Sequence, residues 1–320
     1  MNARAYWVDA PSQASIREVE LPQPGPDDVV VRTLYSGVSR GTESLVYRGN
    51  VPESQHEAMR CPHQQGAFSF PIKYGYITVG VVEQGAGLEG KHVFCLHPHQ
   101  TRFVVPRNMV TPLPAGLDSG LAVLAANLET AVNGVWDANP QAGEKISVIG
   151  AGVVGGLIAW RLQRVTGASV ELVDIDPNRA QLAASLGVDF KVADQASKMR
   201  DLIVHASGSV AGLNQALDLA ALDGRIIELS WFGDTPVPLP LGEAFHSRRL
   251  TIQCSQVGHI PPRLRHEWDY SKRMDLVLDL LLEHPELSCF IDGESAFDDL
   301  PQTMSKLVAS GGVLCHRVRY

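Results

Sequence analysis

The stretch GAGVVGG, beginning at Gly150, constrains the fold of this chain more than any other. Gly150, Gly152 and Gly155 spell G-x-G-x-x-G between KISVIG, which reads as a buried strand, and VVGGLIAWRLQRVTG, which reads as a helix closed by Gly167. In that setting the first glycine permits a tight turn, the second lets a pyrophosphate approach the backbone, and the third lets helix and strand pack closely. The pyrophosphate then lies at the positive end of the helix, which opens with Val153 and Val154. Asp174 ends the next strand, SVELVDID, about 20 residues downstream, where a carboxylate accepts hydrogen bonds from an adenosine ribose. A carboxylate there repels a 2′-phosphate, so NAD(H) is favoured over NADP(H). Arg179 is the residue that would pair with the ribose or accommodate the phosphate of NADP. Ser207 and Gly208 at the end of DLIVHASG, and Ser230 within RIIELSWFG, complete the candidate cofactor contacts.

Around the fingerprint the pattern is regular. DSGLAVLAANLETAVNGVWDA is helical in composition; strands and helices then alternate through NRAQLAASLG, DLIVHASG, a helix from about Leu213, RIIELSWFG and LTIQCSQVG. Such alternation predicts a doubly wound parallel sheet over residues 125–258. Residues 1–124 are different: DVVVRTLYSGVS, YITVGVVEQGAG, KHVFCLHPHQ and TRFVVP are short β runs punctuated by Gly and Pro. Between them, residues 44–72 read as a polar loop, long enough that a covering role is expected. After Gly258 comes an amphipathic helix, SKRMDLVLDLLLEHP, then a helix and a final strand that read as a return to the first domain. The fold class expected is α/β, with a β-rich domain of residues 1–124 and 259–320 interrupted by a nucleotide-binding domain.

Composition narrows the partners. With 320 residues the chain is comfortable for two domains, and 45% hydrophobic with 19% charged residues is ordinary for a folded protein. A net charge of −8 without a Lys/Arg run argues against a nucleic-acid partner. No apolar run reaches the length of a membrane span. MNARAYWVDAP lacks the basic-then-apolar order of a secretory leader. Five scattered cysteines form no disulfide framework, so a reducing cytoplasm is expected.

The order of these parts, with GAGVVGG and VDIDPNRAQLAASLG, resembles the medium-chain dehydrogenases/reductases over essentially the whole chain. The resemblance implies a GroES-like catalytic domain, an inserted Rossmann domain, a cleft between them and a homodimer formed along the edge of the nucleotide sheet. SGVSRGTE (Ser36–Glu43), YGYITVGVVE (Tyr74–Glu83) and LETAVNGV (Leu128–Val135) fall where zinc alcohol dehydrogenases carry their catalytic metal segments. Those members place Cys in the first segment, Gly-His-Glu in the second and Cys near the third. Here the positions read Ser39 and Gly75-Tyr76-Ile77, with no cysteine between Ala125 and Thr130. Hydroxyls replace thiolate and imidazole poorly as zinc ligands, and the four-cysteine structural lobe is missing, so neither family zinc site is expected. The S-G-x-S-x-G-T-E wording is closer to a zinc-free branch that includes bacteriochlorophyllide dehydrogenase.

Without zinc, another group must polarise a carbonyl or carry a proton. The candidates are Ser39, Arg40, Thr42 and Glu43 in the first segment, Tyr76 in the second, and Glu129 and Thr130 in the third. Tyr76 stands out: it takes the lost zinc-histidine position, where its phenol either donates a hydrogen bond to a developing alkoxide or fills the vacated volume. Glu129 reads either as a proton relay or as a paired charge on a helix. His56, Cys61, His63, His92, Cys95, His97 and His99 form a second collection of possible metal ligands. No C-x-x-C or H-E-x-x-H gives them a ligand spacing, so they are assigned to the substrate pocket or to solvent. The function expected is a zinc-independent, NAD(P)(H)-dependent oxidoreductase acting on a small alcohol/ketone pair or an activated double bond. An NADPH quinone or enone reductase, and a non-catalytic dinucleotide-binding redox sensor, remain as alternatives because fold alone does not fix function.

Overall fold

In the structure, a computed structural model, every residue is described except Met1, Ala86, Thr166 and Gly311. The chain divides into two compact units, one of Met1–Ala126 with Met274–Tyr320 and the other of Asn127–Arg273.

In the first unit the Val- and Phe-rich runs pair across long sequence separations. A seven-stranded sheet runs Ile291–Ala296, Cys315–Arg319, Asp28–Val38, Thr78–Gln84, His92–Cys95 and Val110–Pro112, with Arg102–Pro106 also paired to Asp28–Val38. Its core gathers Val29, Val31, Val82, Leu88, Val93, Cys95, Phe103, Val105 and Val110. A smaller sheet orders Gln13–Glu20, Asn2–Ala10, Ile72–Lys73 and Gln65–Gly66. The last strand lies antiparallel to Asp28–Val38 with Val318 opposite Ser36. Ile291–Ala296, unexpected from its alternation of small and charged residues, pairs parallel with that last strand and forms the sheet's outer edge.

The polar stretch 44–72 begins later than the sequence suggests. A helix spans Arg40–Arg48, burying Val46 and Tyr47 and ending at Gly49 in the left-handed region with φ 79°. Tertiary burial of one apolar face outweighs the loop-like composition here.

The second unit is a parallel sheet with helical crossovers: β1 (Lys145–Ile149), α1 (Val153–Val165), β2 (Ser169–Asp174), α2 (Arg179–Leu186), β3 (Asp189–Val192), β4 (Arg200–His205), α3 (Val210–Leu219), β5 (Ala220–Glu228) and β6 (Thr251–Cys254). The strand order is β3-β2-β1-β4-β5-β6, all pairs parallel. This is the doubly wound dinucleotide-binding order, with the direction of winding reversing between β1 and β4. Ile146, Val148, Leu172, Leu202, Val204 and Ile226 are completely buried, as strands covered on both faces require. β3 was not apparent in the sequence because DFKV alternates at a half-exposed edge.

Residues 259–273, expected with the first domain, pack with the second unit instead. Arg263 donates to the Trp136 carbonyl, Tyr270 Oη donates to the Gly258 carbonyl at 2.8 Å, and the Trp136 and Trp268 rings meet at 4.8 Å. The boundary therefore falls inside the helix Tyr270–Glu283.

Candidate functional site

The fingerprint glycines of the second unit are each used. Gly150 has φ 105°, and a Cβ there would lie 2.7 Å from the Ser207 backbone. At Gly155 a Cβ would run into the Gly150 carbonyl, so α1 packs on β1 only without a side chain. Gly152 faces open space within 4 Å, at the mouth of α1, where the first backbone N–H groups of the helix have no intrahelical acceptor. Val153 and Val154, half-buried, form that first turn. An anion fits such a cradle on its geometry alone.

Asp174 is half-buried at the end of β2. Its Oδ2 accepts from Ala151 N at 2.6 Å and its Oδ1 from Asp176 N at 2.9 Å, so the carboxylate braces the glycine turn. Arg179 leans toward Asp176, Nε to Oδ2 at 3.9 Å. Ile175 is 87% exposed, an apolar side chain left uncovered directly after Asp174.

Ser207, Gly208 and Ser230 lie together beyond β4 and β5: Gly208 N donates to Ser230 Oγ at 3.1 Å. Beneath them are two residues that reasoning from the sequence passed over. His205 Nε2 lies 2.6 Å from Ser207 Oγ, and His205 Nδ1 lies 2.6 Å from Glu228 Oε2. Their signal was a single polar residue ending each of two apolar strands, IVH and IIE; the register of β4 and β5 sets them side by side.

In the first unit, Tyr76 is half-buried, and its hydroxyl lies beside the side chains of Ser39 and Thr42, whose polar groups favour its ionised form. Desolvation, reinforced by the Glu43 charge, pushes the phenol pKa well up, so Tyr76 is a neutral donor at pH 7. Glu43 Oε1 accepts from Ser39 N at 2.8 Å, and its Oε2 faces His99 Nε2 at 2.9 Å. His99 Nδ1 lies 2.7 Å from Ser36 Oγ, which lies 3.0 Å from the Tyr320 hydroxyl. Four of the sequence candidates, Ser39, Thr42, Glu43 and Tyr76, therefore converge, while Arg40 turns to the Ser310 carbonyl at 3.5 Å.

Glu129 and Thr130 belong to the second unit. Glu129 Oε1 is held by Arg273, 2.9 Å from Nη2 and 3.1 Å from Nε. The same guanidinium donates to Asn133 Oδ1 at 2.6 Å and to the Val257 carbonyl at 2.8 Å. Burial raises the Glu129 pKa and the Arg273 charge opposes it. The arrangement is that of a buried ion pair anchoring the helix Ala125–Ala138.

The histidines and cysteines do not gather round a common centre. His99 alone joins the Glu43 cluster. His97 stacks between Phe103 at 4.0 Å and His63 at 5.3 Å, with Nδ1 on the Pro98 carbonyl. His56 bonds the Val51 carbonyl, and His92 bonds Ser119 Oγ at 2.6 Å. Burial pushes the Cys61 and Cys95 thiols up to about 12. Among the described residues, no group of three or more His, Cys, Asp or Glu is placed to hold a metal ion. Ser39 and Tyr76 bring only hydroxyl oxygens to this cluster, a donor set that fits zinc less well than thiolate and imidazole.

Comparison with known proteins agrees with this geometry. A family model described as ketopantoate reductase PanE/ApbA matches residues 146–212, the strand-and-fingerprint part of the second unit. The chain is 28% identical over 267 residues to the 2-desacetyl-2-hydroxyethyl bacteriochlorophyllide A dehydrogenase of Rhodobacter capsulatus, covering 77% of this chain and 78% of that protein. It is 25% identical over 332 residues to the D-guloside 3-dehydrogenase of Escherichia coli, covering 93% and 94%. Among solved structures, an Escherichia coli protein described as a short chain alcohol dehydrogenase complexed with NADH superposes with a TM-score of 0.79 at 18% identity, covering 100% and 99%. A putative zinc-binding dehydrogenase of Sinorhizobium meliloti bound to NADP gives the same score and identity, covering 100% of both chains.

Proposed function

We propose that the chain is an NAD(P)-dependent oxidoreductase of the medium-chain dehydrogenase/reductase type, running a zinc-independent reaction in which Tyr76 polarises the substrate oxygen. The observation that carries the reading is the Tyr76 hydroxyl set beside Ser39, Thr42 and Glu43, in the segments where zinc alcohol dehydrogenases hold a metal. The substrate class is a small alcohol/ketone pair.

NAD(H) is held by the Gly150–Gly155 turn and the first turn of α1, with Asp174 on the adenosine ribose, Ile175 offering apolar surface beside it, and Ser207, Gly208 and Ser230 on the other half. A bound reduced nicotinamide supplies the hydride. Tyr76 donates its hydroxyl proton toward the oxygen on which negative charge develops, an interaction made strongest in the transition state. Ser39 and Thr42 hold the phenol in position and solvate its oxygen as that proton moves. Behind them the Glu43–His99 pair keeps one further proton inside the cluster. Glu129, paired with Arg273, takes no part.

The outer edge of β6 has no strand partner among the described residues and is the edge along which a homodimer forms. Among those residues, no helix is long and apolar enough to cross a membrane and all five cysteines are free, which fits a cytoplasmic enzyme.

The deciding experiment is turnover of NADH or NAD against a panel of ketones, alcohols and enones after exhaustive chelation. Activity that survives chelation and collapses in Tyr76→Phe supports the reading. Activity lost on chelation and restored by zinc overturns it, and tight binding with no turnover on any panel points to a redox sensor instead.

A further inference from the structure

Glu228, His205 and Ser207 form a hydrogen-bonded line, 2.6 Å at each link, at the ends of β4 and β5. Glu228 and His205 are buried and Ser207 is exposed. The line is built in: a Cβ at Gly212, in the first turn of α3, would strike Ser207 Oγ and come within 2.7 Å of His205 Nε2. Ser207 Oγ also accepts from Ser209 N at 3.2 Å, and Ser209 caps α3 by accepting from Gly212 N at 2.9 Å.

Proton placement along the line follows from donor and acceptor chemistry. For an ionised Glu228 and a neutral His205, the carboxylate can only accept, so the ring proton sits on Nδ1 facing Glu228 and leaves Nε2 as an acceptor. Ser207 must then donate its hydroxyl hydrogen inward to Nε2, and the oxygen it turns outward is an acceptor. In a doubly wound sheet the two mononucleotide halves of the ligand lie over β1–β3 and β4–β6. Asp174 on β2 marks the adenosine side, so Ser207 stands on the nicotinamide side.

We propose that Glu228 and His205 are positioning residues that fix the Ser207 hydroxyl as a hydrogen-bond acceptor for the nicotinamide half of the dinucleotide. The proposal rests on the nucleotide reading above and adds residues to it. Glu228 makes it testable by a single atom exchange. Its Oε1 accepts from Ser230 N at 2.6 Å, so in Glu228→Gln the amide carbonyl stays on Ser230 and the NH2 turns to His205. Nδ1 then has to accept, the ring proton moves to Nε2, and Ser207 Oγ has to accept it, turning its own hydrogen outward or to Ser209 Oγ at 3.3 Å. The outward acceptor is lost with every side chain still present.

Calorimetric titration of the full chain with NADH and, separately, with ADP-ribose reads the change. Ser207→Ala and Glu228→Gln should each weaken NADH about three- to tenfold, the loss of one hydrogen bond, while ADP-ribose affinity stays within about twofold. The double variant should bind NADH no worse than either single one, since both remove the same acceptor. Ser207 is exposed, so Ser207→Ala keeps the fold even if Glu228→Gln does not. The proposal is overturned if Ser207→Ala binds NADH like the native protein, if a folded Glu228→Gln does so, or if NADH and ADP-ribose weaken in step. Native protein that binds neither ligand would overturn the nucleotide reading itself.

Discussion

Glu43 and His99 are joined Oε2 to Nε2 at 2.9 Å, with neither side chain exposed beyond 3%. Fifty-six positions separate them in the chain, yet the pair is the polar centre of the first unit. Ser36 and Tyr320 carry hydroxyls on the far side of the imidazole, and the Ser39 backbone N–H and the Tyr76 phenol are near the carboxylate. A buried carboxylate beside a phenol disfavours the phenolate, so Glu43 helps to keep Tyr76 in the donor form that its role requires.

Tyr76→Phe removes that donor and leaves the ring. Turnover should fall on the order of a hundredfold, the usual consequence of losing one transition-state donor. NADH affinity and melting temperature should hold. Steady-state kinetics beside a calorimetric titration check this, and undiminished turnover would reduce Tyr76 to a filler of space.

On the proposed reading, cofactor choice depends on Asp174. The native protein should bind NADH at least tenfold more tightly than NADPH, a difference of about 1.4 kcal/mol. Asp174→Ala should narrow that gap from both sides, because the variant loses the ribose acceptor and the repulsion of the 2′-phosphate together. The carboxylate also braces Ala151, so some NADH affinity is lost through the turn as well. Paired fluorescence titrations with the two reduced cofactors measure it; a native preference for NADPH would contradict the reading of β2.

Lys73 should make stability depend on pH in an unusual direction. Burial lowers its pKa to about 8, with Nζ donating to Gln100 Oε1 at 2.7 Å. Between about pH 8 and the ordinary lysine value the unfolded chain holds the extra proton, so this residue's contribution to stability rises with pH across that window. Below pH 8 both states are protonated and the whole cost of burying the cation remains, on the order of 3 kcal/mol. Cys61, Cys95 and Cys315, with thiols pushed up to about 12, act oppositely above pH 9, so a comparison with Lys73→Met isolates the lysine. Urea unfolding at pH 7 and pH 10 should find the variant's advantage large at the lower value and small at the higher one.

Breaking the Glu129–Arg273 pair should cost stability. Arg273→Leu leaves a buried carboxylate without its cation and strips the guanidinium from Asn133 and the Val257 carbonyl. A loss of about 3–5 kcal/mol is expected, read by chemical denaturation. A loss below 1 kcal/mol would show that Glu129 escapes by taking up a proton, and would reopen a proton-carrying role for it.

The amino-acid sequence by itself determined the doubly wound fold of the second unit. Alternating apolar runs, closing glycines and G-x-G-x-x-G are local signals: each acts within one strand, one turn or one helix, so they are legible without contacts. Resemblance to the medium-chain dehydrogenases/reductases likewise singled out Ser39 and Tyr76 as candidates before any contact was known. Only the tertiary structure decided which polar residues work together. His99, read as one of several scattered histidines, reaches Glu43, and the antiparallel pairing of Cys315–Arg319 with Asp28–Val38 returns Tyr320 to Ser36 across almost the whole chain. Parallel register sets His205 beside Glu228, and a helix beginning at Tyr270 delivers Arg273 to Glu129. A buried polar group has to find a partner, but burial and pairing arise from strand register and helix packing between distant segments, and no local pattern encodes which segment will arrive.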